Sequence, residues 1–555
     1  MNKKVCSFPI LFALLALLIG TCAVVFPASA QAAPTSTGSI TVSGTVASSY
    51  DAYQIFSANV VDGDSDAKIA TDLAWASDAV RDAALPVLHS AGMPNSQTTA
   101  QEAAEWLNTD SHLTSALSAQ LARSLQSSGA RPATLNAGTT AELPCGYWLI
   151  VADDDAISQN EAGTAPIMAL VGGGAVTVKP KAATPKVSKH VLEDSTAAWQ
   201  KAADATVADD LYWRLSATVP AGLTAYDAYT VQFVDTMSAG LDPSRVAASM
   251  HVYVAAGADG NFDAVSVGKD GRAGTEPAKG WTDITAQCVT KATADGTFTV
   301  RTGDLIAVLG GADAFAAGAR VVAVYNAPLN SACNHGIAKG NPNEVYPRYP
   351  RSPFADQSGD AGFTRTPSDD ACAYTWDLAL TKRGSDGDKP LAGAVLSIAD
   401  DRGRTLAADG TWDAEGKATV TTGEDGRVTV SGVDSGKLEV RELKAPKGYT
   451  AFEGTRSVTV KAEGLDVDQV AAAKPKLTIT AESPLRADSA DGSTGSLEAS
   501  LINTPTGTPP STITGGFMPS TGDMAMYAAA AAAVAGAALI VVALLVKRGG
   551  GSHKE

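Results

Sequence analysis

Short segments along the whole chain alternate apolar and polar residues with a period of two, which puts one set of side chains on each face of a β-strand. Ile40 and Val42 alternate in this way in Ser39-Ile-Thr-Val-Ser43, and similar segments recur near 187–191, 231–235, 378–382, 438–442 and 501–503. In the later segments one polar residue shares the face of its apolar neighbours. Lys189 lies between Val187 and Val191, Asp235 follows Val231 and Phe233, Lys382 follows Leu378 and Leu380, Glu442 follows Leu438 and Val440, and Asn503 follows Leu501. Unpaired polar groups are costly in an apolar interior, so this parity predicts that the inward-facing ones meet one another.

The period changes to that of a helix only between the first strands. Thr99-x-x-Glu102 forms a capping box ahead of Ala103, Ala104 and Trp106, and Leu113, Leu117, Leu121 and Leu125 share a face at i, i+4 spacing. Strand patterning resumes at Gly146-Tyr-Trp-Leu-Ile-Val151. The expected fold is mainly β, with a first domain that is α+β with a helical insert.

Two apolar runs stand apart from these patterns. Lys3 and Lys4 precede a stretch reaching about Phe26, and Ala28-Ser29-Ala30 is a small-x-small cleavage site, so residues 1–30 read as a signal peptide. The uncharged run 524–546 can cross a bilayer core of about 30 Å, and Lys547 and Arg548 open a basic cytoplasmic tail, 547–555. Residues 505–517 are too rich in Pro, Gly and Thr to pack, and read as a tether.

The formal net charge of −17 disfavours a nucleic-acid partner. Cys6 and Cys22 leave with the signal, so Cys145, Cys288, Cys333 and Cys372 remain. In an exported chain these permit up to two disulfides. Cys333 with Cys372, which flank the end of the second domain, is the pairing expected. The six histidines have no catalytic or ligating spacing, and Asp259-x-Asn261-x-Asp263 departs from a calcium loop at Ala264 and Asp270. No metal or cofactor is expected.

Met518-Pro-Ser-Thr-Gly522, followed by a membrane run and a basic tail, resembles the sorting signal read by sortases of Gram-positive bacteria. The resemblance implies cleavage between Thr521 and Gly522, with Met518 in the place of the usual Leu and Pro519 and Ser520 completing the motif. Ala175-Val-Thr-Val-Lys-Pro-Lys181 resembles the pilin motif of sortase-assembled backbone pilins, whose lysine attacks the acyl-enzyme. That role would fall to Lys181, placed on a linker because Pro180 must leave the strand ladder.

Val231-Gln-Phe-Val-Asp-Thr-Met237 with Leu241, Tyr325-Asn-Ala-Pro-Leu-Asn-Ser331 and Gly340-Asn-Pro-Asn343 resemble fimbrial isopeptide-forming domains, in which the Asp assists bond formation. That family continues to a Tyr-Ser-Asn-Asn-Pro element bearing the acceptor Asn, where this chain has Tyr349-Pro-Arg-Ser-Pro353. Lys189 and Asp235 are therefore left as a buried ion pair, or with another Asn as substitute acceptor. Finally, Lys382, then Glu442-x-x-Ala-Pro-x-Gly-Tyr449, then Asn503-Thr-Pro505 resembles the prealbumin-like CnaB fold and its E-box. Lys382, neutral in a dry core, would attack Asn503 while a protonated Glu442 polarises the carboxamide and shuttles protons.

The resemblance implies a major backbone pilin built of tandem immunoglobulin-like, CnaB-type β-sandwiches, in this order: a pilin domain at 31–180, a fimbrial isopeptide-type (CnaA-like) domain at 181–370, a CnaB-like domain at 371–504, the tether, the sorting motif at 518–522, the membrane segment and the tail. It implies as partners the pilin-specific and housekeeping sortases, identical subunits, peptidoglycan and host-surface ligands that the sequence does not name. A monomeric wall-anchored adhesin, or an ancillary pilin, is the alternative. No conventional enzyme activity is expected.

Overall fold

The computed structural model describes residues 36–507 apart from 64–66, 110, 164, 181–183, 221–222, 258–279, 294 and 317. The signal segment, Lys181, the 518–522 motif, the apolar run, the tail and the Asp259 loop lie outside the described residues. Among the described residues no helix is long and apolar enough to cross a membrane.

The chain is mainly β, with six sheets among the described residues. In the first stretch, Thr37–Val42 is the middle strand of a three-stranded sheet, antiparallel to Thr140–Pro144 and parallel to Val176–Val178. A five-stranded sheet centred on Ser49–Asp62 and Gly146–Ala152 is covered on both faces. Tyr50, Ala52, Trp148 and Ile150 pack against Ile40 and Val42, while Tyr53, Ile55, Leu149 and Val151 pack against the helices. Double coverage is why Trp148–Val151 reads as a continuous apolar run rather than an alternation.

The helices are Asp78–Ser90, Ala100–Asn108 and Ser115–Gln126. Thr99 and Glu102 form the capping box. Leu117, Leu121 and Leu125 are buried, but Leu113 is 38% exposed. The reason is Thr114, whose hydroxyl accepts from Leu117 N at 3.1 Å and starts the helix after Leu113.

Beyond Val187 a six-stranded and a seven-stranded sheet face each other around Trp213, Leu215, Phe233, Phe298 and Val345. Beyond Trp376 a five-stranded and a seven-stranded sheet enclose Leu378, Leu380, Val440, Val458 and Leu497. In this last sandwich Trp376–Gly384 and Ser496–Pro505 lie side by side and parallel, in register from Asp377↔Ser496 to Gly384↔Asn503.

The last two sandwiches are clasped together. The Arg404 guanidinium grips Asp209 with bonds of 2.5 and 2.8 Å, Trp376 Nε1 donates to Asp204 Oδ2 at 2.6 Å, and Val207 N donates to Gly432 O at 2.9 Å. Gly432 has φ +69°, and a Cβ there would meet Val207 Cγ2 at 2.4 Å, so the close approach requires glycine.

Candidate functional site

Alternation along three strands of the last sandwich aims one polar side chain each into its core. Lys382 comes from Trp376–Gly384, Asn503 from the neighbouring Ser496–Pro505, and Glu442 from Gly436–Lys444 in the facing sheet. Their exposures are 0%, 2% and 6%. Lys382 Nζ contacts Asn503 Oδ1 and lies 3.1 Å from Glu442 Oε1. Asn503 Nδ2 donates to both Glu442 oxygens, at 2.9 and 3.1 Å, and Phe452 N donates to Oε2 at 3.0 Å.

Burial lowers the Lys382 amine to about 8, against the opposing pull of Glu442. Loss of solvation outweighs the attraction of one carboxyl, so an uncharged, nucleophilic amine is within reach near neutrality. The carboxyl faces the carboxamide nitrogen, the atom that would leave if the lysine attacked Cγ. The sequence expectation gave Glu442 the polarising of that carboxamide and the shuttling of protons. Glu442 enters from the opposite sheet, on the side where Nδ2 projects.

A second cluster occupies the preceding sandwich. Lys189, Asp235, Tyr325 and Asn343 are each fully buried. Lys189 Nζ contacts Asp235 Oδ2 and lies 3.0 Å from Tyr325 Oη, which donates to both Asp235 oxygens at 3.2 Å. Asn343 Nδ2 donates to the same hydroxyl at 2.8 Å, while Asn343 Oδ1 is buried without a partner among the described residues. Burial lowers Lys189 to about 8 and raises Asp235, so both groups are driven toward their neutral forms.

Sequence reasoning singled out Lys189 and Asp235 but assigned no role to Asn343 or Tyr325. The signal was present, since Asn343 precedes Val345 by two and so shares its inward face. The register sets Asp235 opposite Val345 and Met237 opposite Asn343, which makes Asn343 a diagonal neighbour of Asp235. Asn341, two residues earlier, is structural. Its Nδ2 donates to Asn334 O and Ala373 O, and its Oδ1 accepts from Asn334 N.

The expected Cys333–Cys372 disulfide is not formed. The four cysteines among the described residues, Cys145, Cys288, Cys333 and Cys372, are free thiols. Cys333 and Cys372 belong to different cores, and their sulfurs have separate partners: Cys333 Sγ lies 3.5 Å from His335 Nε2, whereas Cys372 Sγ donates to Ala373 O at 3.7 Å. Nearness in sequence to one boundary did not bring the two thiols together.

Facing sheets with parallel terminal strands and a lysine, carboxyl and carboxamide between them define a prealbumin-like sandwich set in tandem with other β-domains. Residues 377–474 match the family model of the SpaA prealbumin-like fold domain. Over 143 residues the chain is 30% identical to the trypsin-resistant surface T6 protein of Streptococcus pyogenes serotype M6, a match that covers 24% of each protein. The chain thus spans about a quarter of that relative's length.

Solved structures similar to it include the T6 backbone pilin of Streptococcus pyogenes serotype M6 (17% identity, 85% of this chain and 98% of that one, TM-score 0.46). The major pilin SpaD of Corynebacterium diphtheriae is similar at 15% identity over 86% of this chain and 100% of that one, with a TM-score of 0.41. The chain is similar to major pilins of Gram-positive bacteria.

Proposed function

We propose that this chain is the repeating subunit of a covalent surface fibre, exported, joined by sortase and stapled internally. The observation that carries the proposal is the contact of Lys382, Glu442 and Asn503 in a core closed to water. The uncharged Lys382 amine attacks Asn503 Cγ, an Nζ–Cγ bond forms, the Cγ–Nδ2 bond breaks, and Glu442 passes the amine proton to the departing nitrogen. The products are an isopeptide and one ammonia, so the reaction is a single turnover and not enzyme activity in the usual sense.

The Lys189 cluster supports a second bond of the same kind, with Asn343 as acceptor and Asp235 as the proton relay. Asn343 is the diagonal neighbour of Asp235 and bonds the same Tyr325 hydroxyl as Lys189, which gathers amine, relay and acceptor in one core. On this reading the domains run 31–180, 181–370 and 371–504. Sortase cleaves after Thr521 and the Lys181 amine of the next subunit takes the acyl group, releasing the enzyme thiol and forming an amide. Such a heterologous contact repeats into an open filament, whose last subunit is passed to peptidoglycan.

Inside each subunit the bond joins Trp376–Gly384 to Ser496–Pro505. These parallel neighbours would otherwise carry tension through backbone hydrogen bonds and the bond of Arg383 Nε to Ser500 Oγ at 3.1 Å. The clasp of Arg404 on Asp209 couples that sandwich to the one before it. The test is a denaturing gel of wall extracts: a high-mass ladder that collapses to one species in Lys181→Ala. A single anchored band from the unmodified chain would favour a monomeric adhesin.

A further inference from the structure

A cleft of about 520 Å³ opens between the strand Val187–Glu193 and the segment around Thr366–Asp369. On one side that strand is paired from Val187 to Val191 by Tyr212–Thr218. On the other, Ala198–Gln200 pairs only with Val191, Leu192 and Glu193. The edge from Val187 to Lys189 therefore faces the cleft rather than another strand. Lys189 has its outward groups occupied, N–H by Asp369 Oδ2 at 2.7 Å and carbonyl by Lys201 Nζ at 2.8 Å. By the period of two, Val187 turns its own N–H and carbonyl to the same side.

On the opposite wall Thr366 is 4% exposed, and on the strand itself His190 buries its Nδ1; among the described residues neither Thr366 Oγ1 nor His190 Nδ1 has a hydrogen-bond partner. Pro185 and Pro367 supply apolar wall. An open strand edge beside two unsatisfied polar atoms is suited to an extended peptide that brings its own donors and acceptors.

We propose that this cleft receives residues 508–521 of a second copy of the chain, laid as an added strand along the Val187 edge. The inference rests on the fibre reading above. Position supports it, because the cleft begins at Thr184, three residues or about 10 Å of chain after Lys181, where the neighbour's Thr521 would be bonded. Length supports it, since 508–521 extends to roughly 45–50 Å. Composition supports it as well. Thr-Pro-Pro-Ser-Thr-Ile-Thr-Gly-Gly-Phe-Met-Pro-Ser-Thr carries no charge, and the charged pair at the cleft, Lys201 and Asp369, is already closed on itself.

The test compares amide hydrogen exchange in native fibres with that in the full chain carrying Lys181→Ala, which stays monomeric. In fibres the amides of Val187 and of Thr366–Asp369 should exchange at least tenfold more slowly, and Thr366→Val should reduce that protection while the ladder still forms. Equal exchange in fibre and monomer overturns the docking and leaves the fibre standing. Protection that survives Ile513→Asp with Phe517→Asp in fibres overturns the tail as occupant. Absence of any ladder from the unmodified chain overturns the fibre itself, and the docking with it.

Discussion

Asn503→Ala isolates the contribution of the proposed Lys382–Asn503 bond. It removes the acceptor and leaves Lys382 beside Glu442 at 3.1 Å, so the buried amine keeps its counter-group. The bond closes a loop from residue 382 to residue 503, and the chain-entropy relation for cross-links assigns a loop of that size about 5 kcal/mol. At roughly 3–4 °C per kcal/mol for a domain of this size, the transition of the last sandwich should fall by about 15–20 °C. The assay is intact mass with differential scanning calorimetry on the same full-length samples. The unmodified chain should weigh less than its sequence mass by one ammonia, about 17 Da, for this bond, and Asn503→Ala should lose that deficit together with the stability. A variant that melts within about 3 °C of the unmodified chain, well inside the shift expected for a lost cross-link, would refute the reasoning. So would a mass deficit at this site that persists.

Four further outcomes follow from the geometry of the two clusters. Glu442→Gln keeps both reacting side chains but no basic oxygen facing Asn503 Nδ2, so bond formation should slow by at least ~10²-fold in a mass time course after refolding. In the unreacted chain the rate should climb about tenfold per pH unit up to the Lys382 value of about 8 and level off above it, because only the neutral amine attacks. The stability of Asn503→Ala should respond to pH as well. Its folded state holds the amine at about 8 against 10.5 ordinarily, so the unfolded chain binds more protons between these values, and stability rises with pH across that window and is flat below it. Asn343→Ala should leave the unmodified chain's second mass deficit, about another 17 Da, unmade while the first persists. A deficit of only one ammonia in the unmodified chain would assign Lys189 and Asp235 to an uncrosslinked pair.

The parity of apolar and polar residues made the inward-facing set legible because a strand has only two faces. Lys189, Asp235, Lys382, Glu442 and Asn503 could each be placed on the apolar one without knowing any pairing. Which of them share a core is a different matter. That Lys382 and Asn503 come from parallel neighbours while Glu442 comes from the facing sheet depends on sheet order, which no local pattern encodes. Leu113 shows the same limit within a helix, where periodicity included it and the Thr114 cap excluded it.

By itself, then, the sequence determined the mainly β class, the helical insert and the identity of most polar groups held in the cores, since burial and strand period are local properties of the chain. The tertiary structure alone decided that Asn343 and Tyr325 join Lys189 and Asp235, that the cysteines stay apart, and that one strand edge opens on a cleft beginning at Thr184. Each of these depends on distances between residues far apart in the chain, and those distances are set by the register and facing of whole sheets rather than by any segment's own preference.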